Sequence, residues 1–266
     1  MKPDPGTTMR SVRRTLDVLR ALNMHNGARV SQLAHVTGIS RPAIYRILDA
    51  LVGLGYVHRR MDDERYDLTV QVRSLSEGYD EEYWIAAIAL PEMTALQRLV
   101  VWPTDLATFF DDAMLVRETT RHASPLTIDQ VHVGERLPLL TSATGRAYLA
   151  FCSAAEREAI LKNLSASSRP QDSIARNGRL VSSLIANTRR DGFGYRHGEL
   201  YPQTGAIAVP VMVGDRVIAC LNITFSSSVL SVKEAASRYL AALQASAKEI
   251  SRQLAAPAAR APSKAG

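Results

Sequence analysis

The sequence predicts a two-domain α+β protein: a small helical domain closed by a β-hairpin, then a larger domain with an antiparallel sheet and flanking helices. Three observations predict it. Apolar residues recur at helical spacing through residues 11–53. Two short strand-like runs around a polar turn follow them. From Pro103 onward, strand patterns alternate with helices announced by capping boxes.

In the first domain Val12, Leu16, Leu19 and Leu22, with Thr15 and Val18 beside them, form one stripe. Residues 11–24 are therefore an amphipathic helix, broken near Gly27. A second short helix spans Ser31–Thr37, with Ser31 as N-cap and Leu33, Ala34 and Val36 apolar. In the turn after it, Gly38 can take positive φ, Ile39 can plug the core and Ser40 can cap the next helix. The third helix opens with Arg41-Pro42, proline being tolerated in a first turn. It runs to about Gly53–Gly55 and buries Ile44, Ile47, Leu48 and Leu51. Tyr56–Arg60 and Arg65–Leu68 are then strands around the turn Met61–Glu64.

Charge is concentrated in this domain. Residues 1–75 hold 12 Lys/Arg against 7 Asp/Glu, which is +5 of the chain's +6. That placement points to a polyanionic partner there. Two helices joined by a short Gly-containing turn form a helix-turn-helix, and the hairpin is its wing. The outward face of the third helix carries Arg41, Ala43, Tyr45, Arg46 and Asp49. In double-stranded DNA, Arg41 and Arg46 suit bases or phosphates, and small Ala43 suits a thymine methyl. Tyr45 suits a phosphate or base edge, and Ser31 and Ser40 suit phosphates. Arg59 and Arg60, with Arg65, either reach the neighbouring backbone or are solvated wing charges. An all-helical cap on another domain, or an architectural or RNA-binding protein, competes with this reading. Helix order, turn chemistry, wing and charge placement together favour DNA.

Thr69–Leu99 reads mostly helical, divided by Gly78 and Pro91. Its apolar residues, among them Leu75, Trp84, Ile85, Ile88 and Leu96, are either core or a dimer seam. Strands follow at Leu106–Phe110, Met114–Thr120, Ala206–Val213 and Val217–Phe225, the last two joined at Gly214-Asp215. Ser153…Glu156 and Ser231…Glu234 cap two helices, and Leu180–Arg190 is another, stopped at Gly192. Thr141–Gly145 leads into a helix at Arg146–Phe151. Small residues there either leave N–H groups open to an anion or allow tight packing on the sheet. Asn222 and Thr224 share one strand face, turned to a ligand or to solvent at an edge.

Catalytic signatures are missing: there is no GxSxG elbow, Walker A loop or HExxH. Gly192, Gly194 and Gly198 have the wrong spacing for a dinucleotide fingerprint and read as loop turns. Asp111-Asp112 reads as a hairpin turn, and His197-Gly-Glu199 is weak as a metal site. No enzyme activity, cofactor or metal is expected; a hydrolase with a DNA-binding appendage is the enzymatic alternative. Cys152 and Cys220, in apolar runs, read as buried reduced thiols. No apolar run approaches the roughly 20 residues of a membrane span, and the N-terminus lacks a signal-peptide core. A cytoplasmic protein with no membrane partner is expected.

These segments carry a resemblance. SVRRTLDVLRALN, SQLAHVTGISRPAIYRILDALVGLGYVHRR and RYDLTVQVRSLS resemble the N-terminal half of the IclR family of bacterial transcription regulators. VGERLPLLTSATGRAYLAFC, RRDGFGY and AIAVPVMVGDRVIACLNITF resemble its effector half, so the likeness runs from Ser11 to about Leu254. LSEGYDEEYW, VVWPTDLATF and AMLVRETT look especially like activators of aromatic-acid catabolism, such as those of 3-(3-hydroxyphenyl)propionate degradation. The resemblance implies a winged helix-turn-helix over 1–70, linker helices over 71–98, a GAF-like effector-binding domain over 99–256 and a disordered tail over 257–266. It implies a homodimer or dimer of dimers, a small aromatic carboxylic acid as effector, and RNA polymerase as a further partner of an activator. Repression has the same sequence signature. Ala143, Thr144 and Gly145 would line the pocket, Leu126, Ile128 and Leu137 would be apolar walls, and Asn222 and Thr224 would hydrogen-bond a phenol or carboxylate. Ala206 stands in a pocket strand where many members carry a small residue or Cys, and Arg196 stands near a commonly acidic position. Both imply a larger anion than a small keto acid.

Overall fold

The computed structural model describes residues 5–76, 84–126 and 131–256, and the chain divides into two compact units, 1–80 and 81–266. The first contains α1 (Pro5–Met24), α2 (Val30–Thr37), α3 (Arg41–Gly53) and a hairpin of β1 (Val57–Arg59) and β2 (Tyr66–Leu68). Val18, Leu22, Leu33, Ile44 and Leu48 are wholly buried, with Val57 and Tyr66 of the hairpin beside them. Val12 and Leu16, expected on the buried stripe of α1, are about half exposed, so the helix turns only its second half into this core. Gly38 closes α2 in the left-handed conformation, and Ile39 is buried behind it.

Capping differs from expectation. Ser31 lies inside the first turn of α2, whose N-cap is Arg29. The bridge between Ala28 and Tyr66 holds the chain extended up to Arg29, so the cap falls two residues earlier than Ser31. Ser40 does occupy the N-cap of α3, but its side chain makes no capping bond.

The second unit is a six-stranded antiparallel sheet in the order β5-β4-β3-β8-β7-β6. Its strands are β3 (Thr104–Phe110), β4 (Ala113–Thr119), β5 (Arg136–Pro138), β6 (Gly194–His197), β7 (Thr204–Val213) and β8 (Arg216–Ser226). The four long strands match the sequence pattern. The edge strands β5 and β6 are too short to show a period of two. Gly194, expected in a loop, lies within β6, while Gly192 and Gly198 sit at turns.

Alternation along β7 divides the core. Ile207, Val209 and Val211 pack on α8 (Val232–Ala255) and α4 (Leu90–Val100). Ala206 and Ala208 face α5 (Ala143–Phe151) on the other side, where α6 (Ala154–Ala166) and α7 (Gly178–Asp191) complete the layer. Residues 85–98, within the segment read as linker, are core of this unit: Ile85, Ala89, Met93 and Leu96 are all buried. Residues 77–83, the tail 257–266 and Ile128 lie outside the described residues.

The seat of α5 depends on Gly145, where a Cβ would stand 2.4 Å from the Leu139 Cα and carbonyl oxygen. Backbone atoms cannot swing aside. Gly145→Ala should cost about 1–3 kcal/mol or more, lowering Tm by several degrees in calorimetry. An unchanged Tm would contradict this packing.

Candidate DNA-reading surface and effector cavity

On the first unit Arg41, Tyr45 and Arg46 of α3 are exposed, whereas Ala43 is half-buried against the core. Ser31, Arg41, Tyr45 and Arg59 converge on one groove between the helices and the wing, joined by Arg29, Glu64 and Tyr66. Neither Arg46 nor Ser40 lines it; both are exposed nearby on the α3 side. All three wing arginines have carboxylate partners: Arg59–Glu64 at 2.7 Å, Arg60–Asp67 at 2.5 Å and Arg65–Asp63 at 2.6 Å. Arg60 grips Asp67 with both Nε and Nη2, which fixes it across the hairpin. Exposed pairs of this kind orient side chains without adding much stability.

In the second unit a cavity forms where α5 begins, under β3, β8, β7 and β6. Asp105 on β3 and Arg121, just beyond β4, make a buried fork: Nε to Oδ1 at 3.0 Å and Nη2 to Oδ2 at 2.7 Å, with side chains 1% and 6% exposed. Thr119 Oγ1 donates to Asp105 Oδ1 at 2.7 Å. Arg121 also donates to Thr224 Oγ1 at 3.2 Å, and Asn222 Oδ1 accepts from the Asp105 N–H at 3.0 Å. Each charge is thus paired and hydrogen-bonded, as burial requires.

Arg196 on β6 is also buried. It donates to the Thr204 carbonyl at 2.8 Å and Oγ1 at 2.9 Å, and lies over the Tyr201 ring at 5.2 Å. Burial pushes this guanidinium down to about 10, so it remains a cation at neutral pH. The Tyr201 hydroxyl donates to Glu135; burial, then that bond, hold its phenol above the usual range.

Leu137, Ala143, Thr144, Arg196, Ala206, Asn222 and Thr224, all expected at a pocket, line this one cavity. Asn222 and Thr224 are buried on central strand β8, not at an edge. Gly145 faces Leu139 instead, and Leu126 is 40% exposed at the surface. Sequence reasoning missed Asp105, Arg121, Ser142 and Tyr201. An aspartate within the apolar run DLATFF was a usable signal, but its partner lies 16 residues away. The small residues before α5 serve packing as well as access: Ser142 Oγ accepts from the Gly145 N–H at 3.0 Å, so the helix caps itself. The central free space is about 10 Å³, on the scale of one water. An aromatic acid would have to part these walls.

Among the described residues no group of His, Cys, Asp and Glu could hold a metal ion. Cys152 and Cys220 are free and buried, and burial raises both thiols. No described helix is long and apolar enough to cross a membrane.

A winged helix-turn-helix followed along the chain by an α+β domain with a polar internal cavity defines the class of a DNA-binding transcription regulator with an effector domain. Residues 11–60 match the IclR helix-turn-helix domain, and residues 79–252 match the C-terminal domain of bacterial transcriptional regulator IclR. The chain belongs to the IclR family. It is 27% identical over 247 residues to the HTH-type transcriptional regulator KdgR of Escherichia coli, covering 92% of each chain. It is 25% identical over 248 residues to the Pca regulon regulatory protein of Pseudomonas putida, covering 92% of this chain and 84% of that one. The fold is also that of an IclR homolog from Microbacterium hydrocarbonoxydans solved with 4-hydroxybenzoate: TM-score 0.55, 22% identity, 91% of this chain and 98% of that one.

Removing one partner of the buried fork strands the other. Arg121→Met should destabilise the protein by about 3–5 kcal/mol, while the double variant Asp105→Leu/Arg121→Met should recover most of that loss. Urea unfolding of the two variants measures the difference.

Proposed function

We propose that the protein is a ligand-responsive activator of an aromatic-acid degradation operon, with a hydroxyphenylpropionate-like carboxylic acid as effector. The observation that carries this reading is the buried pair of guanidinium groups, Arg121 and Arg196, on a cavity with hydroxyl, amide and apolar walls. A guanidinium fork suits a carboxylate, and Asn222 and Thr224 supply partners for a phenol. The family member solved with 4-hydroxybenzoate supports an aromatic acid, and a relative named for the Pca regulon is compatible with it. The likeness of VVWPTDLATF and AMLVRETT to activators supports the sign of regulation; these segments carry Asp105 and most of β3 and β4.

For the DNA half, Arg41 and Arg46 meet bases or phosphates, Ala43 meets a thymine methyl, Tyr45 meets a phosphate or base edge, and Ser31, Ser40, Arg59 and Arg60 hold the backbone. One recognition helix gives little specificity, so a homodimer or dimer of dimers on two half-sites is the working assembly. The effector biases DNA binding only by favouring one arrangement of that assembly over another. RNA polymerase would be met at the promoter, in the cytoplasm.

Two measurements check these roles. Arg46→Ala should weaken binding to an operator selected from random duplexes by about 1–3 kcal/mol and relax preference at one base pair; equal affinity at fixed salt rejects base reading by Arg46. Calorimetry should show 3-(3-hydroxyphenyl)propionate or 4-hydroxybenzoate binding the wild type, and Arg196→Gln losing about tenfold or more of that affinity, as expected for a hydrogen bond to a charged group. If no aromatic acid binds, the effector class is wrong and the DNA-binding role stands.

A further inference from the structure

The groove between the helix pair and the wing is filled in part by the protein's own charge. On its floor lies Tyr66, 1% exposed, whose buried hydroxyl has no hydrogen-bond partner. Tyr66 lines the groove together with Tyr45, Arg59 and Glu64, and these three, with Asp49, act electrostatically on its hydroxyl. Backbone pairing fixes what surrounds it. Tyr66 N donates to the Ala28 carbonyl at 3.0 Å, and its own carbonyl accepts from Gly27 N at 3.1 Å. Strand β2 therefore runs beside the start of α2, and Arg29 emerges at the same place. Arg59 lies over the Tyr66 ring, 5.9 Å from its centroid, and Arg41 opens α3 on the groove wall.

Arg29 makes no side-chain capping bond; its carbonyl accepts from the Gln32 and Leu33 N–H groups, and the N–H groups of Val30 and Ser31, at the very start of the helix, have no acceptor within it. Three guanidinium groups, an uncapped helix start and a buried, unpartnered O–H on a residue of the groove floor suit a tetrahedral anion. Two carboxylates already line the groove: Asp63, which pairs with Arg65 outside it, and Glu64. Glu64 accepts from Arg59 Nη2 at 2.7 Å, from a backbone at φ 57 that L side chains rarely adopt. Both members of that pair are largely exposed, 47% and 73%, so exchanging it for another anion loses little.

We propose that this groove seats one phosphate of the DNA backbone, gripped by Arg29, Arg41, Arg59 and the Tyr66 hydroxyl, and that Glu64 holds Arg59 until the phosphate displaces it. The inference rests on the DNA-binding reading and adds to it a residue, Tyr66, and an internal competitor, Glu64. Because a phosphate contact is independent of sequence, a labelled random-sequence duplex is a sufficient probe.

Tyr66→Phe keeps the buried ring and should leave Tm unchanged or raised, yet weaken duplex binding about threefold or more. Arg59→Gln should lower the salt dependence of binding by about one phosphate contact, a slope change near 0.9. Glu64→Gln should tighten binding more than Asp62→Asn, which removes a neighbouring wing charge that does not line the groove. Wild-type affinity in Tyr66→Phe, or equal effects of Glu64→Gln and Asp62→Asn, overturns the seat while the DNA reading stands. A wild type that binds no duplex overturns both. Inorganic phosphate at matched ionic strength should not compete; competition at millimolar phosphate would make this a free-anion site and overturn the assignment to DNA.

Discussion

The second unit is organised by how closely α5 lies on its sheet. A Cβ at Gly145 would stand 2.4 Å from the Leu139 backbone, and one at Gly194 would stand 2.3 Å from the Ala143 carbonyl oxygen. Backbone contact of this kind leaves no room for large side chains, which is why this face is built from Ala143, Ala147, Ala206 and Ala208. The bulk moves to the opposite face, where Ile207, Val209, Leu221 and Ile223 meet α4 and α8. The cavity opens where α5 begins, beside these close contacts. Packing thus fixes the position of the site before its chemistry is considered.

That chemistry is buried charge. Asp105 and Arg121 would each be costly alone in this interior; together they are paired, with Thr119, Asn222 and Thr224 bonded around them. Replacing such a pair with apolar residues is often neutral for stability, so stability alone does not account for it. A carboxylate already resting in an arginine fork is a pattern that an incoming acid can exchange with or extend. The wing repeats that logic at the surface, with Glu64 on Arg59. On both units a carboxylate of the chain holds an arginine, through two nitrogens at Arg121 and through one at Arg59.

Legibility in the sequence followed the range of the interactions. The helix-turn-helix was readable because its cues are local: the apolar stripe of α3, the left-handed Gly38 and the buried Ile39 lie within one short stretch. The long strands showed through their alternation, whereas β5 and β6, at three and four residues, did not. Over 85–98 the sequence left core and dimer seam open, because an apolar helix face looks the same whether it meets another subunit or its own sheet. Ser31 was misread as a cap because the Ala28–Tyr66 bridge that starts α2 early joins residues far apart in sequence. Seven of the expected pocket residues came together because they lie on segments that the family resemblance aligned. Asp105, Arg121 and Tyr201 did not show, since their roles come from partners on other strands. Gly145 and Leu126 mark the opposite failure, in which closeness in sequence to pocket residues did not bring them to the cavity.

The central claim is that an acid in this cavity and DNA on the winged domain are coupled, and coupling between two binding sites is reciprocal. The direct test measures 3-(3-hydroxyphenyl)propionate affinity with and without saturating operator, and operator affinity with and without saturating acid. The account predicts that both affinities change by the same factor, and that Arg196→Gln removes the effect of the acid while leaving operator affinity in its absence unchanged. An acid that binds in the cavity yet leaves operator affinity unaltered would contradict it.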